Sequence, residues 1–221
     1  MVHKNQLLQL RNELAKYQAG LVAVSKTKSA DDVCEAYESG QKIFGENYVQ
    51  ELSVKQQMLP TGIHWHFIGH LQTNKVKHII SFISLIQSAD SVKLIEKINK
   101  EAMKSNRTVD CLMQIHIADE ETKSGFSFAE AEDFIQSGNA NELNNICIKG
   151  LMGMATFTDD KEQIRREFKG LSEFYQEVKK MNRSAFPFSI LSMGMTSDYR
   201  IALDEGSNMV RIGSAIFGER E

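Results

Sequence analysis

Leu21-Val22-Ala23-Val24-Ser25-Lys26, followed by Thr27-Lys28-Ser29-Ala30-Asp31-Asp32, is the stretch on which the fold turns. Its four apolar residues, two of them β-branched, predict a strand buried on both faces, the kind found in parallel sheets covered by helices. A helix start follows at once, because Ser29 with Asp32 three residues on has the spacing of a cap. A strand running straight into a helix is the βα unit of a parallel sheet. Lys26 then ends the strand, where ligands and chemistry collect in such architectures. A lone lysine there reads either as a strand-end residue reaching for water or as a desolvated amine awaiting a carbonyl.

The pattern repeats outward. Before the strand, Leu7, Leu10, Leu14 and Tyr17 fall at helical spacing and predict an amphipathic helix ending at Gly20. After it, Val33, Ala36 and Tyr37 share one face until Gly40 stops the helix. Lys42–Gly45 reads as a strand and Glu46–Gln57 as a helix; His66–Gly69 is a strand with a short helix from Asn74. Phe82–Gln87 is strand-like, and Ser91–Lys104 carries Leu94, Ile95, Ile98 and Ala102 as a helix face. Val109–Ile117 is a strand, and Ser127-Phe128-Ala129-Glu130 announces a helix as a capping box. Ile148–Ala155, Phe188–Met193 and Met209–Gly213 complete the strands, with helices over Asp160–Lys180 and Ser197–Asp204 between them.

Roughly eight strands alternating with helices predict one α/β domain over residues 1–221: a single (β/α)₈ TIM-type barrel preceded by an N-terminal helix. No Gly-rich dinucleotide fingerprint follows the first strand, which weakens an open doubly wound sheet. The two prolines, Pro60 and Pro187, interrupt no predicted element. A chain of 221 residues suits one such barrel.

Composition narrows the function classes. Hydrophobic residues make up 42% and charged residues 25%, as in soluble globular proteins. A formal net charge of −3, without a concentrated basic face, argues against nucleic acid as the main partner. The three cysteines, Cys34, Cys111 and Cys147, have no metal-ligand spacing and read as thiols of a reducing compartment. Neither a signal-peptide plan nor a membrane-length apolar run is seen, so the expected location is the cytoplasm, without membrane association.

If the barrel forms, the strand ends converge on one mouth. Loops after the seventh and eighth strands often hold phosphate in such barrels. Here they carry Ser192, Gly194, Thr196, Ser197, Gly213 and Ser214, hydroxyls and glycines suited to an anion. Opposite a strand-end lysine they permit two chemistries: a Schiff-base aldolase acting on sugar phosphates, or pyridoxal phosphate (PLP) bonded to the lysine. Arg211, two residues before Gly213 and on the same strand face, favours PLP, because a fixed cation can hydrogen-bond a pyridine nitrogen while disfavouring its protonation. His64-Trp65-His66 and His70 invite a metal, but no acid or cysteine at ligand spacing completes the set, and no metal is expected. Met152, Met154, Met193 and Met195 read as core filling and pocket lining.

Val22–Lys28, Phe44-Gly45-Glu46-Asn47, His64–Lys75, Gly150–Met154, Leu191–Met195 and Val210–Gly213 together closely resemble the pyridoxal phosphate homeostasis protein family, in order and over nearly the whole chain. That family resembles the fold-type III barrel domain of alanine racemase standing alone. The resemblance implies that Lys26 forms the aldimine with PLP, that Arg211 faces the pyridine nitrogen, that Ser192, Gly213 and Ser214 hold the phosphate, and that Asn47 lies near the ring. It implies a non-catalytic role in holding, buffering or handing on PLP, with PLP-dependent apoenzymes as recipients; a one-domain barrel with little net charge is itself expected to be a monomer. A fold-type III racemase is the alternative; without a second domain to supply an opposing acid, efficient racemisation is not expected. His116 stands where relatives often carry asparagine, and either faces the mouth or packs beneath it.

Overall fold

The computed structural model describes residues 2–119, 124–137, 143–181 and 186–219; Met1 and residues 220–221, the ends of the expected unit 1–221, lie outside the described residues. In chain order the elements are α1 (Lys4–Lys16), β1 (Gly20–Val24), α2 (Ala30–Glu38), β2 (Ile43–Glu46), α3 (Val49–Met58), β3 (His64–Phe67), a 3₁₀ turn (Val76–His78) and β4 (Leu85–Ala89). They continue with α4 (Val92–Lys104), β5 (Val109–Ile115), α5 (Phe128–Gln136), β6 (Ile146–Gly153), α6 (Lys161–Lys180), β7 (Ile190–Ser192), α7 (Tyr199–Asp204), β8 (Met209–Ile212) and α8 (Ser214–Phe217). The eight strands pair in parallel, in sequence order, and close on themselves. At the seam β1 lies against β8, with Val22 opposite Arg211 and Ala23 opposite Ile212. This is the expected (β/α)₈ barrel with a helix before it.

Local chemistry sets the helix starts. Ser29 Oγ accepts from the Asp32 N–H while Asp32 Oδ2 accepts from the Ser29 N–H, and Ser127 and Glu130 make the same reciprocal pair. Each such cap stabilises its helix by about 1 kcal/mol. The stripe Ile164, Phe168, Leu171, Tyr175 and Val178 of α6 is buried against the barrel. Full burial of a side chain like Phe168 contributes roughly 2–3 kcal/mol. Inside the barrel a separate cluster, Val22, Leu85, Leu112, Met152 and Met209, fills the space the strands enclose.

Several boundaries differ from expectation. Helix α1 stops at Lys16, leaving Tyr17 47% exposed, and Gly20 opens β1 instead of merely ending the helix. Glu46 continues β2 through its pairing with Phe67, so α3 begins at Val49. The apolar run Phe82-Ile83 is not strand; Ile83 is fully buried in the connection before β4, and its hydrophobicity serves packing. The short helix expected from Asn74 is only a 3₁₀ turn, and the four-residue α8 was not foreshadowed by any periodicity.

Candidate functional site

A cavity of about 220 Å³ opens at the carboxyl ends of the strands. Its wall includes Lys26, Asn47, Arg211, Gly213 and Ser214, which the sequence singled out. Around them lie apolar surfaces from Val24, Ile68, Met154 and Met195, together with Lys28, Thr196 and Gly218.

Lys26 sits two residues beyond β1, on a tight turn in which the Lys28 N–H donates to Ser25 O at 3.0 Å and Thr27 adopts φ 64°. Both neighbours of the lysine are clamped from below. Ser25 Oγ donates to Glu46 Oε1 at 2.6 Å, and the Thr27 N–H donates to Glu51 Oε1 at 2.7 Å. Lys55, reaching in from α3, ties these groups together, its Nζ donating to Ser25 O (2.7 Å), Glu46 Oε1 (2.8 Å) and Glu51 Oε1 (2.6 Å). The Glu46 side chain is fully buried, and desolvation pushes its carboxyl above the usual range despite Lys55. Its second oxygen, Oε2, has no hydrogen-bond partner. Lys28 points its Nζ to the carbonyl of Glu219 at 2.9 Å and so joins this turn to the segment after α8.

Asn47 follows β2, and its Oδ1 is buried with no hydrogen-bond partner, a polar atom held ready beside the cavity. The close approach behind it requires glycine at 69, because a Cβ there would overlap the Asn47 carbonyl oxygen. Across the mouth, the loops after β7 and β8 meet. The Met195 N–H donates to the Asp198 carboxylate, folding the first loop back on itself, and the Gly213 N–H reaches Thr196 Oγ1 at 3.4 Å. A Cβ on Gly213 would press on Val24 at 3.1 Å from its carbonyl oxygen, so this glycine lets the anion loop sit against the strand that bears Lys26.

Arg211 is 3% exposed, and burial pulls its guanidinium down to about 10, opposed by the Asp198 carboxylate; it stays cationic at neutral pH. Its Nη1 donates to Ser192 O (2.9 Å) and Ser192 Oγ (2.6 Å), and its Nη2 to Gly153 O (2.9 Å).

The structure therefore does not bring Ser192 to the cavity wall. Its hydroxyl is fully buried and engaged by Arg211 and Gln87, and the hydroxyl at the wall in that loop belongs to Thr196. Thr196 stood in the same quoted loop, and side-chain alternation alone could not tell which of its hydroxyls a turn would expose. His116 follows β5, half-buried, with its N–H donating to Phe126 O at 2.8 Å, and is not part of the wall. His66 is an interior barrel residue, 6% exposed. Among the described residues no group of three or more His, Cys, Asp or Glu side chains could hold a metal ion, and no helix is long and apolar enough to cross a membrane. Sequence reasoning missed Lys55 and Gln87; a buried polar residue beneath a site leaves no periodicity of its own.

Comparison with known proteins places this arrangement. Residues 3–221 match the profile of the family described as alanine racemase, N-terminal domain. The chain is 38% identical over 204 residues to the pyridoxal phosphate homeostasis protein of Aquifex aeolicus, covering 92% of this chain and 88% of that protein. It is 41% identical over 220 residues to the human protein of the same name, covering 95% and 79%. Among solved structures, PipY of Synechococcus elongatus superimposes with a TM-score of 0.91 without PLP and 0.86 with PLP bound, at 31% identity over 97% of this chain and 99% of that one.

Proposed function

The chain belongs to the pyridoxal phosphate homeostasis protein family, and from that premise we propose that its cavity holds PLP covalently, as a Schiff base between Lys26 Nζ and the cofactor's aldehyde. The observation that carries the reading is the meeting, in one cavity of about 220 Å³, of a strand-end amine, a buried cation and an anion loop. Arg211 faces the ring nitrogen, Asn47 Oδ1 meets the polar edge of the ring, and Met154, Met195 and Ile68 flank its faces. Gly213, Ser214 and Thr196 receive the phosphate; Ser192 contributes through Arg211. When bound, PLP supplies an electrophilic carbon and an electron-withdrawing ring. A cationic partner at the ring nitrogen disfavours its protonation and keeps that ring a weak electron sink.

The protein holds the cofactor and hands it on to PLP-dependent apoenzymes, acting as a cytoplasmic monomer formed by the single unit 1–221, and does not turn over substrate. The cavity wall supports the absence of turnover. Its ionisable side chains among the described residues are Lys26, Lys28 and Arg211, with no carboxylate, histidine, cysteine or tyrosine to serve as an opposing acid. The test is reconstitution with PLP, borohydride reduction and intact mass with peptide mapping. One pyridoxyl group on Lys26, absent from Lys26→Ala at that position, is expected. A protein that stays colourless, or that carries the label elsewhere, refutes the assignment; steady racemisation of a free amino acid abolished by Lys26→Ala refutes the carrier role.

A further inference from the structure

Behind Arg211 a chain of hydrogen bonds crosses the inside of the barrel. Ser192 Oγ lies 2.6 Å from Arg211 Nη1 and 2.7 Å from Gln87 Oε1, and Gln87 Nε2 lies 3.0 Å from His66 Nδ1. All four residues are buried, His66 at 6%, Gln87 and Ser192 at 0% and Arg211 at 3% exposure. They come from β3, β4, β7 and β8, so the chain connects strands far apart in the barrel wall.

Its direction is fixed by valence. A guanidinium has donors and no acceptor. Ser192 Oγ must accept from it and therefore turns its own proton to Gln87 Oε1. With the amide oxygen so used, Gln87 presents Nε2 to His66, whose Nδ1 must accept. The ring is then neutral, with its proton on Nε2, in keeping with the burial that pulls its pKa down to about 3. Because all four residues are buried, each link constrains the next.

We propose that Gln87 and His66 are positioning residues for Arg211, acting through Ser192 to fix which way its guanidinium fork faces the cavity. The inference rests on the reading that Arg211 meets the PLP ring. With Nη1 and Nη2 held on the protein side by Ser192 and by the Gly153 carbonyl, the cation's orientation is set before any ligand arrives. Preorganised groups of this kind hold a ligand without reordering at the moment of binding.

The test compares wild type with Gln87→Met, which keeps volume and removes both polar ends, in two states. In the protein without PLP, nitrogen-15 NMR of the arginine side chains should show slowly exchanging Arg211 Nη protons that Gln87→Met loses. In the PLP-loaded protein, Gln87→Met should weaken PLP binding by about fivefold, as for the loss of one hydrogen bond between neutral groups, and should shift the pH profile of the bound chromophore. Met152→Leu, in the same interior but outside the chain of bonds, should leave both readouts as in wild type. If Gln87→Met fails to fold, His66→Gln, which keeps an acceptor, should behave as wild type, while His66→Phe should show the Gln87→Met losses. Unchanged Nη protection and an unchanged pH profile in Gln87→Met, or equal behaviour of the two His66 variants, overturns the proposal. If wild type takes up no PLP at Lys26, the functional reading falls, while the arginine measurement without PLP still decides the positioning role.

Discussion

Replacing Lys55 by methionine tests whether the turn bearing Lys26 is held from below. The lysine side chain is 6% exposed and donates to three oxygens, those of Ser25, Glu46 and Glu51. Methionine fills similar volume but leaves the fully buried Glu46 carboxylate with Ser25 as its one neutral donor. Breaking a buried pair by removing one partner costs roughly 3–5 kcal/mol, which for a chain of this length lowers the melting temperature by roughly 6–20 °C. The deficit depends on pH in a definite sense. Burial already raises the Glu46 carboxyl, and without Lys55 it rises further, so the penalty grows as the pH rises and shrinks as the pH falls and the orphaned carboxyl takes up a proton. The double variant Lys55→Met/Glu46→Gln removes both charges and should recover much of the loss. Urea unfolding followed by circular dichroism at neutral and mildly acidic pH measures all of this. A loss below about 1 kcal/mol for Lys55→Met, or a double variant no more stable than the single one, would refute the reasoning.

Other expectations concern the interior and the mouth. His66, neutral in the fold with its pKa pulled from the usual 6.5 to about 3, contributes stability that is complete above the unfolded pKa and lost as pH falls below it. By pH 5 the loss is about 2 kcal/mol. Denaturant titrations should show this slope flattened in His66→Gln, and equal slopes in the two proteins would sink the assignment. Gly69→Ala forces a methyl against the Asn47 carbonyl and should destabilise by about 1–3 kcal/mol, with weaker PLP binding; a thermal scan showing wild-type stability would contradict the packing argument. Thr196→Val should weaken PLP by about 1 kcal/mol yet leave pyridoxal, which lacks the phosphate, unchanged. Equal losses for the two ligands would remove Thr196 from the phosphate site.

How much of this was legible in the sequence depends on the scale of the interaction. The βα alternation was readable because each unit carries its own signals: an apolar run such as Leu21–Val24, then a cap such as Ser29 with Asp32. The mouth was readable because strand ends converge in a barrel, which brings Lys26, Asn47, Arg211, Gly213 and Ser214 together from distant positions. What lies beneath them was not. Glu51 and Lys55 have the i,i+4 spacing of a solvated helix pair, and only the placement of α3 over the Ser25 turn buries Lys55. Gln87 ended an apolar run and carried no mark of its contact with a serine brought to it by another strand. Ser192 closes β7 and Thr196 lies in the loop after it, whose turn, set by Met195 and Asp198, brings the Thr196 hydroxyl and not that of Ser192 to the cavity.

The pairing of β1 with β8 has a consequence for biosynthesis. Lys26 is synthesised well before Arg211, yet Val22 and Arg211 are register partners at the seam. A nascent chain that has made seven strands owns the amine but neither the cation nor the loop at Gly213, so it offers a small aldehyde ligand no complete site. Any ligand that needs all three recognises only the finished barrel, and its binding energy adds to that state alone. Capture of such a ligand thus waits until β8 has paired with β1 and the ring of strands has shut.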